Sequence, residues 1–479
     1  MKKVLIIGAH SRHPFKIGML AEVIRTEIEK GNDVRYLHCE NSTKGYCALN
    51  KKKGRLYCRK CIRASKSVLE WNGVSPEKIF KILPCNTPSF PDFTSIEELK
   101  NYSYDGYNFG IAPTTSLMSI HRDYLFDVSK NQKAIKGYMR TQYIIIKNLE
   151  RIYDKFAFDE LHTFNGRFAL PFAATEFCKR RSINFYLYEG TGDYRKYFSL
   201  KNNLIHGMEW QRKKIKELWD NANIDTRDDE GKIWFEARVN RTDTPALRFV
   251  ENQQTGLLPK DFEKKEDVEN IVIFNSSVDE YACFDEFKNP IADDENDILE
   301  SLLEKYKDDD SKKIYIRSHP NLAGAFRKKA HQAKRLIEME KKYKGKFIFI
   351  YPNSKISSYD LMKNADKVIT FISTVGIEAT YMGVPSILAG KAFYDELDCV
   401  YQAKSMEELF NLIDTKNLMP KPKKNVYPYG YYLENNGTVY KHYKPVKHDY
   451  GSFYGHDVRM FENPISLLVK RIKEKLRNR

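Results

Sequence analysis

No apolar run in this sequence approaches the ~18 residues that a membrane-spanning helix needs, and no long block of Lys and Arg marks a nucleic-acid tract. No internal repeat of fixed period is present either. The opening Met1-Lys2-Lys3-Val4-Leu5-Ile6-Ile7-Gly8 is too short in its apolar part for a signal peptide and reads as a buried first strand. Cysteine is sparse, with eight in 479 residues; scattered thiols in a large chain argue for a reducing cytoplasm over a disulfide scaffold. These absences set aside the integral-membrane and secreted classes, and no nucleic-acid partner is expected.

What remains is a globular composition, 42% apolar and 30% charged, in a chain too long for one ordinary core. Lys and Arg total 80 against 64 Asp and Glu, a formal charge of +16. That balance favours anionic partners: nucleotides, acidic polymers or the anionic face of a membrane.

The front half opens as a βαβ unit: an apolar strand from Lys3, helical spacing of Ile17, Leu20, Ala21, Ile24 and Ile28, a stop at Gly31, and a strand over 34–38. Residues 39–63 read as an inserted basic loop or small subdomain with Cys39, Cys47, Cys58 and Cys61. Those thiols fit either a structural zinc site of non-standard spacing or a loop whose thiols pack or stay free. A long helix is predicted over 134–156. Strands over 160–164 and 184–188 follow, ending in Asn165-Gly166-Arg167 and Glu189-Gly190-Thr191-Gly192-Asp193. A linker is placed near 251–269, and beyond it strands and helices alternate, as in a parallel doubly wound sheet. The expected architecture is α/β: two Rossmann-like domains facing a cleft, over residues 1–255 and 256–420. A Tyr- and Lys-rich tail over 421–479 is expected to end in a basic amphipathic helix over 465–476. That helix would dock on the first domain or meet anionic lipid at the inner face of the membrane.

Polar residues of the rear half recur where strands end. Asn275-Ser276-Ser277 follows one strand, Arg317-Ser318-His319-Pro320 another, and Ser373-Thr374-Val375-Gly376-Ile377-Glu378 a third. In a parallel sheet these loops share one rim, where ligands bind. Ser373, Thr374 and the N–H groups around Val375 and Gly376 suit a phosphate, or simply cap a helix. Arg317 and His319 suit a leaving phosphate. Glu378, one turn after Thr374, suits two ribose hydroxyls, or complements the helix dipole.

With His319-Pro320, the stretch from Ser373 through Gly383-Val384-Pro385 resembles the donor half of a GT-B glycosyltransferase. More narrowly, the chain resembles bacterial capsule and surface-polysaccharide biosynthesis proteins, including the Kdo-transferase and sialyltransferase groups, with Glu189-Gly190 as counterpart of their acidic motif. The resemblance implies a CMP- or UDP-linked sugar held by His319, Ser373, Thr374 and Glu378, and a glycan or glycolipid acceptor. It implies an acid–base carboxylate in the front domain, Glu189 first and Asp193 second. Arg12 and His13 after the first strand, with Asn165 and Arg167, are further candidates for acceptor or phosphate contacts. No metal cofactor is expected to be required, since paired acids such as Asp308-Asp309-Asp310 precede strands or helices. Two other readings are a CDP-polyol phosphotransferase with similar signals, and a non-enzymatic anionic-polymer or RNA binder.

Overall fold

Val4, Leu5, Ile6 and Ile7 are all buried, as a central parallel strand covered on both faces requires. In the computed structural model, which describes residues 1–8, 13–47, 55–205, 207–240, 253–262, 264–447 and 450–459, this segment is β1 (Lys3–Ile7). The front half continues with α1 (Pro14–Glu29), β2 (Asp33–His38), α2 (Arg55–Trp71), β3 (Ile79–Lys81), α3 (Ile96–Lys100), a hairpin of β4 (Ser103–Tyr104) and β5 (Tyr107–Asn108), and α4 (Ile111–His121). Then come α5 (Gln132–Phe156), β6 (Glu160–Phe164), α6 (Ala169–Arg180), β7 (Asn184–Gly190) and β8 (Lys196–Lys201). Strands β1, β2, β3, β6 and β7 are parallel, and β8 runs antiparallel beside β7. Pro14 opens α1, three residues before the predicted helical spacing begins at Ile17, and Gly31 at φ 74° follows its end, the stop read from the sequence.

The chain then runs through α7 (Met208–Asp220), α8 (Arg227–Val239), β9 (Glu269–Phe274), α9 (Glu295–Tyr306), β10 (Lys312–Arg317), α10 (Ala323–Lys328), α11 (His331–Lys342), β11 (Ile348–Ile350), α12 (Ser358–Asn364), β12 (Lys367–Thr370), α13 (Val375–Tyr381), β13 (Ser386–Leu388), β14 (Tyr401–Gln402) and α14 (Met406–Asp414). The rear sheet is parallel throughout, in the order β11-β10-β9-β12-β13-β14. Two α/β sheets of Rossmann type are thus present, as the sequence predicts.

Four differences from the expectations have physical causes. Sequence spacing predicts one helix over 326–343, but it is split into α10 and α11. Lys329 takes a left-handed φ of 53° and the Ala330 amide reaches back to the Ala325 carbonyl, a helix-ending turn that hydrophobic spacing does not reveal. The Cys58-x-x-Cys61 pair lies on helix α2, not in a loop. Helices α7 and α8, placed by sequence with the front domain, share a core with the rear one: Ile215, Trp234 and Phe235 pack with Ile377, Tyr381 and Leu388. The tail over 421–459 is ordered into α15 (Tyr427–Asn435), β15 (Thr438–Val439), β16 (Tyr443–Lys447), β17 (Tyr450–Phe453) and β18 (His456–Arg459). The predicted helix over 465–476 lies outside the described residues.

That tail ties the halves together. Helix α15 packs on α7 and α8, β15 extends the front sheet beside β8, and the three-stranded sheet β16-β17-β18 lies on α1. Glu22 of α1 holds its start, accepting the amides of Lys441, His442 and Tyr443 at 2.7–2.8 Å. The α8–α15 crossing depends on two facing glycines. A Cβ at Gly430 would stand 2.1 Å from the Gly231 carbonyl oxygen, and one at Gly231 would stand 2.7 Å from that of Tyr427. Gly430→Ala is therefore expected to destabilise the chain by about 1–3 kcal/mol; thermal denaturation unchanged within a degree would refute the close approach.

Candidate functional site

Strand β9 pairs with β10 on one side and β12 on the other. The loops leaving β9 and β12 therefore diverge, and a crevice opens between them at the carboxyl ends of the strands. Asn275, the first residue after β9, is buried; its Oδ1 accepts the His319 amide at 2.8 Å, while its Nδ2 has no hydrogen-bond partner. A buried donor without a partner is costly unless something else completes it.

His319 Nδ1 accepts the Asn321 amide at 3.2 Å, so a neutral ring carries its proton on Nε2. Burial, then the positive charges of Arg122 and Arg317, pull its pKa down to about 4 against the opposing pull of Asp279. The ring is thus an uncharged N–H donor at neutral pH. Thr374 Oγ1 donates to Glu378 Oε1 at 2.9 Å, and Tyr359 donates to Glu378 Oε2 at 2.6 Å. Glu378 is buried, so both its oxygens begin with protein partners. Ser373 is half-buried and its Oγ accepts the Val375 amide at 3.3 Å, while the Gly376 amide bonds the Ser373 carbonyl. The helix N–H groups expected to meet phosphate are therefore already engaged by Ser373. Gly376 itself is buried, and a Cβ there would stand 2.6 Å from the Tyr394 hydroxyl; it serves packing.

Three other rear residues act through their neighbours. Arg317 is 1% exposed and donates to the Tyr351 carbonyl at 2.8 Å and the Ser354 carbonyl at 3.4 Å. It fixes that loop and does not face the crevice, and burial lowers its pKa to about 10. Ser276 is buried, its amide bonded to Glu295 and its carbonyl to Gln332. Ser277 Oγ donates to Asp279 at 2.9 Å.

On the front wall, Asn165 and Gly166 take φ of 64° and 83°, a left-handed pair that Asn and Gly tolerate. The turn aims Asn165 Nδ2 at Glu189 Oε2, 2.5 Å away, and the Gly190 amide donates to Glu189 Oε1 at 3.0 Å. Glu189 is thus held by neutral donors and has no ion-pair partner within 4.0 Å among the described residues. Asp193 differs: Arg195 clasps both its oxygens at 2.7–3.1 Å, which ties it to its own hairpin. His13 is half-buried, and its carbonyl accepts the Lys16 and Ile17 amides at the start of α1. Arg12 lies outside the described residues.

Arg167 spans the cleft, donating to the Glu280 carbonyl at 2.9 Å. Beside it Arg122, in left-handed conformation at the end of α4, reaches Asp279 at 3.1 Å and Glu280 at 3.4 Å. Asn321 also donates to Glu280. Burial raises the pKa of Asp279 against the pull of Arg122. A cavity of about 400 Å³ adjoins this contact, lined by Tyr124, Val278, Tyr281, Phe371 and Ile372 among others, with Glu295 at its base. The sequence gives no sign of Lys16 and Arg122, and it carries Asp279 and Glu280 in the polar run after β9 without a role. Asp279 and Glu280 follow a strand and were legible as candidates; Arg122 comes from a distant helix end and carried no signal.

Cys39, Cys47, Cys58 and Cys61 line one cavity of about 30 Å³. Burial, then the neighbouring thiols, raises the pKa of Cys47. Yet among the described residues only Glu27, Glu160 and His162 bring three ligand atoms within 4.8 Å of one another, so the thiols are more widely spaced than a bound ion would hold them. Glu27 and Glu160 are already paired with Lys30 and Lys2. No helix among the described residues is long and apolar enough to cross a membrane.

Residues 275–417, which carry all the rear loops, match the family described as capsule polysaccharide biosynthesis protein. No curated protein matches the chain. Among solved structures, a β-Kdo 2,4-transferase KpsC of Thermosulfurimonas dismutans is 12% identical, with a TM-score of 0.37 over 57% of this chain and 78% of that one. The β-Kdo 2,7-transferase of the same KpsC is 14% identical, with a TM-score of 0.35 over 65% and 85%. A UDP-GlcNAc 2-epimerase of Neisseria meningitidis bound to UDP-GlcNAc is 11% identical, with a TM-score of 0.28 over 90% and 98%. The fold assignment rests on the strand order of the two sheets.

Glu295, which lines the cavity beside the cleft, gives a pH test. Burial raises its pKa from 4.5 to about 8. Between those values the folded chain holds a proton that the unfolded chain has lost, so stability falls as pH rises through that window. Glu295→Gln is expected to reduce the loss of melting temperature between pH 5 and pH 8; an unchanged pH dependence would assign the slope elsewhere.

Proposed function

We propose that this chain is a glycosyltransferase that moves a sugar from a CMP- or UDP-linked donor to a capsule or related surface glycan. The observation that carries this reading is Glu189. It is a carboxylate at a strand end, held by neutral donors only, and linked through Arg167 to the loop that borders the rear crevice. A carboxylate so placed can take the acceptor hydroxyl proton as the sugar–phosphate bond breaks, a scheme that suits inversion.

On the donor side the leaving phosphate would accept hydrogen bonds from His319 Nε2–H and the Ser373 and Thr374 hydroxyls, with Asn275 Nδ2 as an additional donor. Neutral donors aimed at developing charge stabilise it without reorganising. Glu378 would meet the ribose by exchanging its Tyr359 or Thr374 bond for a sugar hydroxyl. Arg122 neutralises Asp279 and Glu280, and both oxygens of Glu378 are held by Tyr359 and Thr374. We therefore read transfer as independent of a divalent cation. The two other candidate ligand sets, the four thiols and the Glu27–Glu160–His162 trio, line other cavities.

A screen of nucleotide sugars against the purified chain tests the class. CMP- or UDP-sugar turnover supports it, whereas transfer of a polyol phosphate from a CDP-polyol favours the phosphotransferase. Glu189→Gln should keep nucleotide affinity and lose about 10²–10⁴-fold in transfer rate; full activity would move the base elsewhere. His319→Ala should weaken nucleotide binding about tenfold by titration calorimetry, the worth of one hydrogen bond. Transfer should persist in excess EDTA, and its abolition would require a metal-held leaving group.

A further inference from the structure

Beside Glu189 the front wall carries more positive charge than its own carboxylate uses. Lys16, in the first turn of α1, places its ammonium 4.0 Å from the centre of the Phe164 ring and 5.5 Å from that of Phe15. Among the described residues it forms no ion pair within 4.0 Å. Arg167 lies 5.0 Å from the Phe168 ring, and among the described residues its one hydrogen bond as donor from the side chain goes to a carbonyl, not a carboxylate. Its buried Nε has no partner. Glu189 acts electrostatically on both cations, yet both its oxygens are occupied by Asn165 and Gly190.

Holding two half-buried cations without a contact anion is unfavourable. The aromatic faces under them offset only part of that cost, about 0.5–2 kcal/mol each. Burial lowers the pKa of Lys16 to about 8 and also lowers that of Arg167, both signs of incomplete charge compensation. The acids on the facing loop do not fill the gap, since Asp279 and the Glu280 carboxylate bond Arg122 and Asn321.

We propose that Lys16 and Arg167 form an oxyanion subsite on the acceptor side of the cleft, which binds a carboxylate or phosphate group carried by the acceptor. The proposal rests on the reading of Glu189 as the base, because it places an acidic acceptor's hydroxyl beside that residue. It names the acceptor class: a sugar bearing a negative charge, not a neutral one. Arg167 can donate to such a group from Nη2 while Nη1 holds the Glu280 carbonyl, and Lys16 adds a point charge.

The test is saturation-transfer NMR and calorimetry on the full chain with D-glucuronate, D-glucose 6-phosphate and neutral methyl glucoside. The proteins are the wild type, Lys16→Met, Lys16→Arg and Arg167→Met, each checked for a native circular dichroism spectrum. The expected result is saturable binding of an anionic sugar and none of methyl glucoside. Affinity should fall at least tenfold in Lys16→Met and Arg167→Met and be largely kept in Lys16→Arg, with nucleotide affinity unchanged in both Lys16 variants. Preference for glucuronate assigns a carboxylate, and preference for the phosphate ester assigns a phosphate. Equal binding of all three sugars, no binding of either anion, or a parallel loss of nucleotide affinity in Lys16→Met would overturn the subsite. Failure of the base assignment shows separately, as retained transfer in Glu189→Gln, because sugar binding does not require that residue to accept a proton.

Discussion

Parallel pairing of β9 with β10 on one flank and β12 on the other is the constraint from which the site follows. Parallel neighbours demand crossover helices, and reversing direction at β9 leaves the loops after β9 and β12 with nothing between them. The polar residues at these strand ends would be solvated loop residues in isolation. Around this gap they become a wall. Asn275 is the clearest instance: one side-chain atom steadies the His319 loop, and the other has no hydrogen-bond partner among the described residues.

The second wall depends on charge distributed across the gap. Arg122 neutralises Asp279 and Glu280, and Arg167 bonds the carbonyl beside them. Glu189 stays out of these ion pairs, and its oxygens accept from the Asn165 amide group and the Gly190 backbone amide. His319 shows the complementary effect, since burial and nearby guanidinium groups keep its ring uncharged.

Much of this was legible in the sequence. Strand ends can be found from apolar runs that stop at polar residues, and Ser276, His319, Ser373 and Glu189 were found in that way. The left-handed Asn165-Gly166 turn was readable from residue type alone. Other features were hidden because they depend on tertiary packing. Arg317 looks like a ligand contact by position, yet its side chain turns into the sheet's flank to hold a neighbouring loop. Helices α7 and α8 precede the linker in sequence but bury their aromatic residues against α13 and α15. The tail's Tyr-rich composition lacked helical or strand periodicity because its short elements each pack on a different partner. Lys16 was hidden by its place in an ordinary amphipathic helix, where a lysine carries no signal until its neighbours are known.

The return of the chain over 427–459 bears on how the cleft can move. Helix α15 is anchored to the rear sheet's helices and β15 to the front sheet's edge, so the halves are joined by two covalent tethers in place of one. A single tether permits swivelling in any direction. Two in parallel act as a pair of hinge pins, which confine the halves to opening and closing about one line and resist shear between them. The register of the front and rear walls is thereby set from both ends of the cleft.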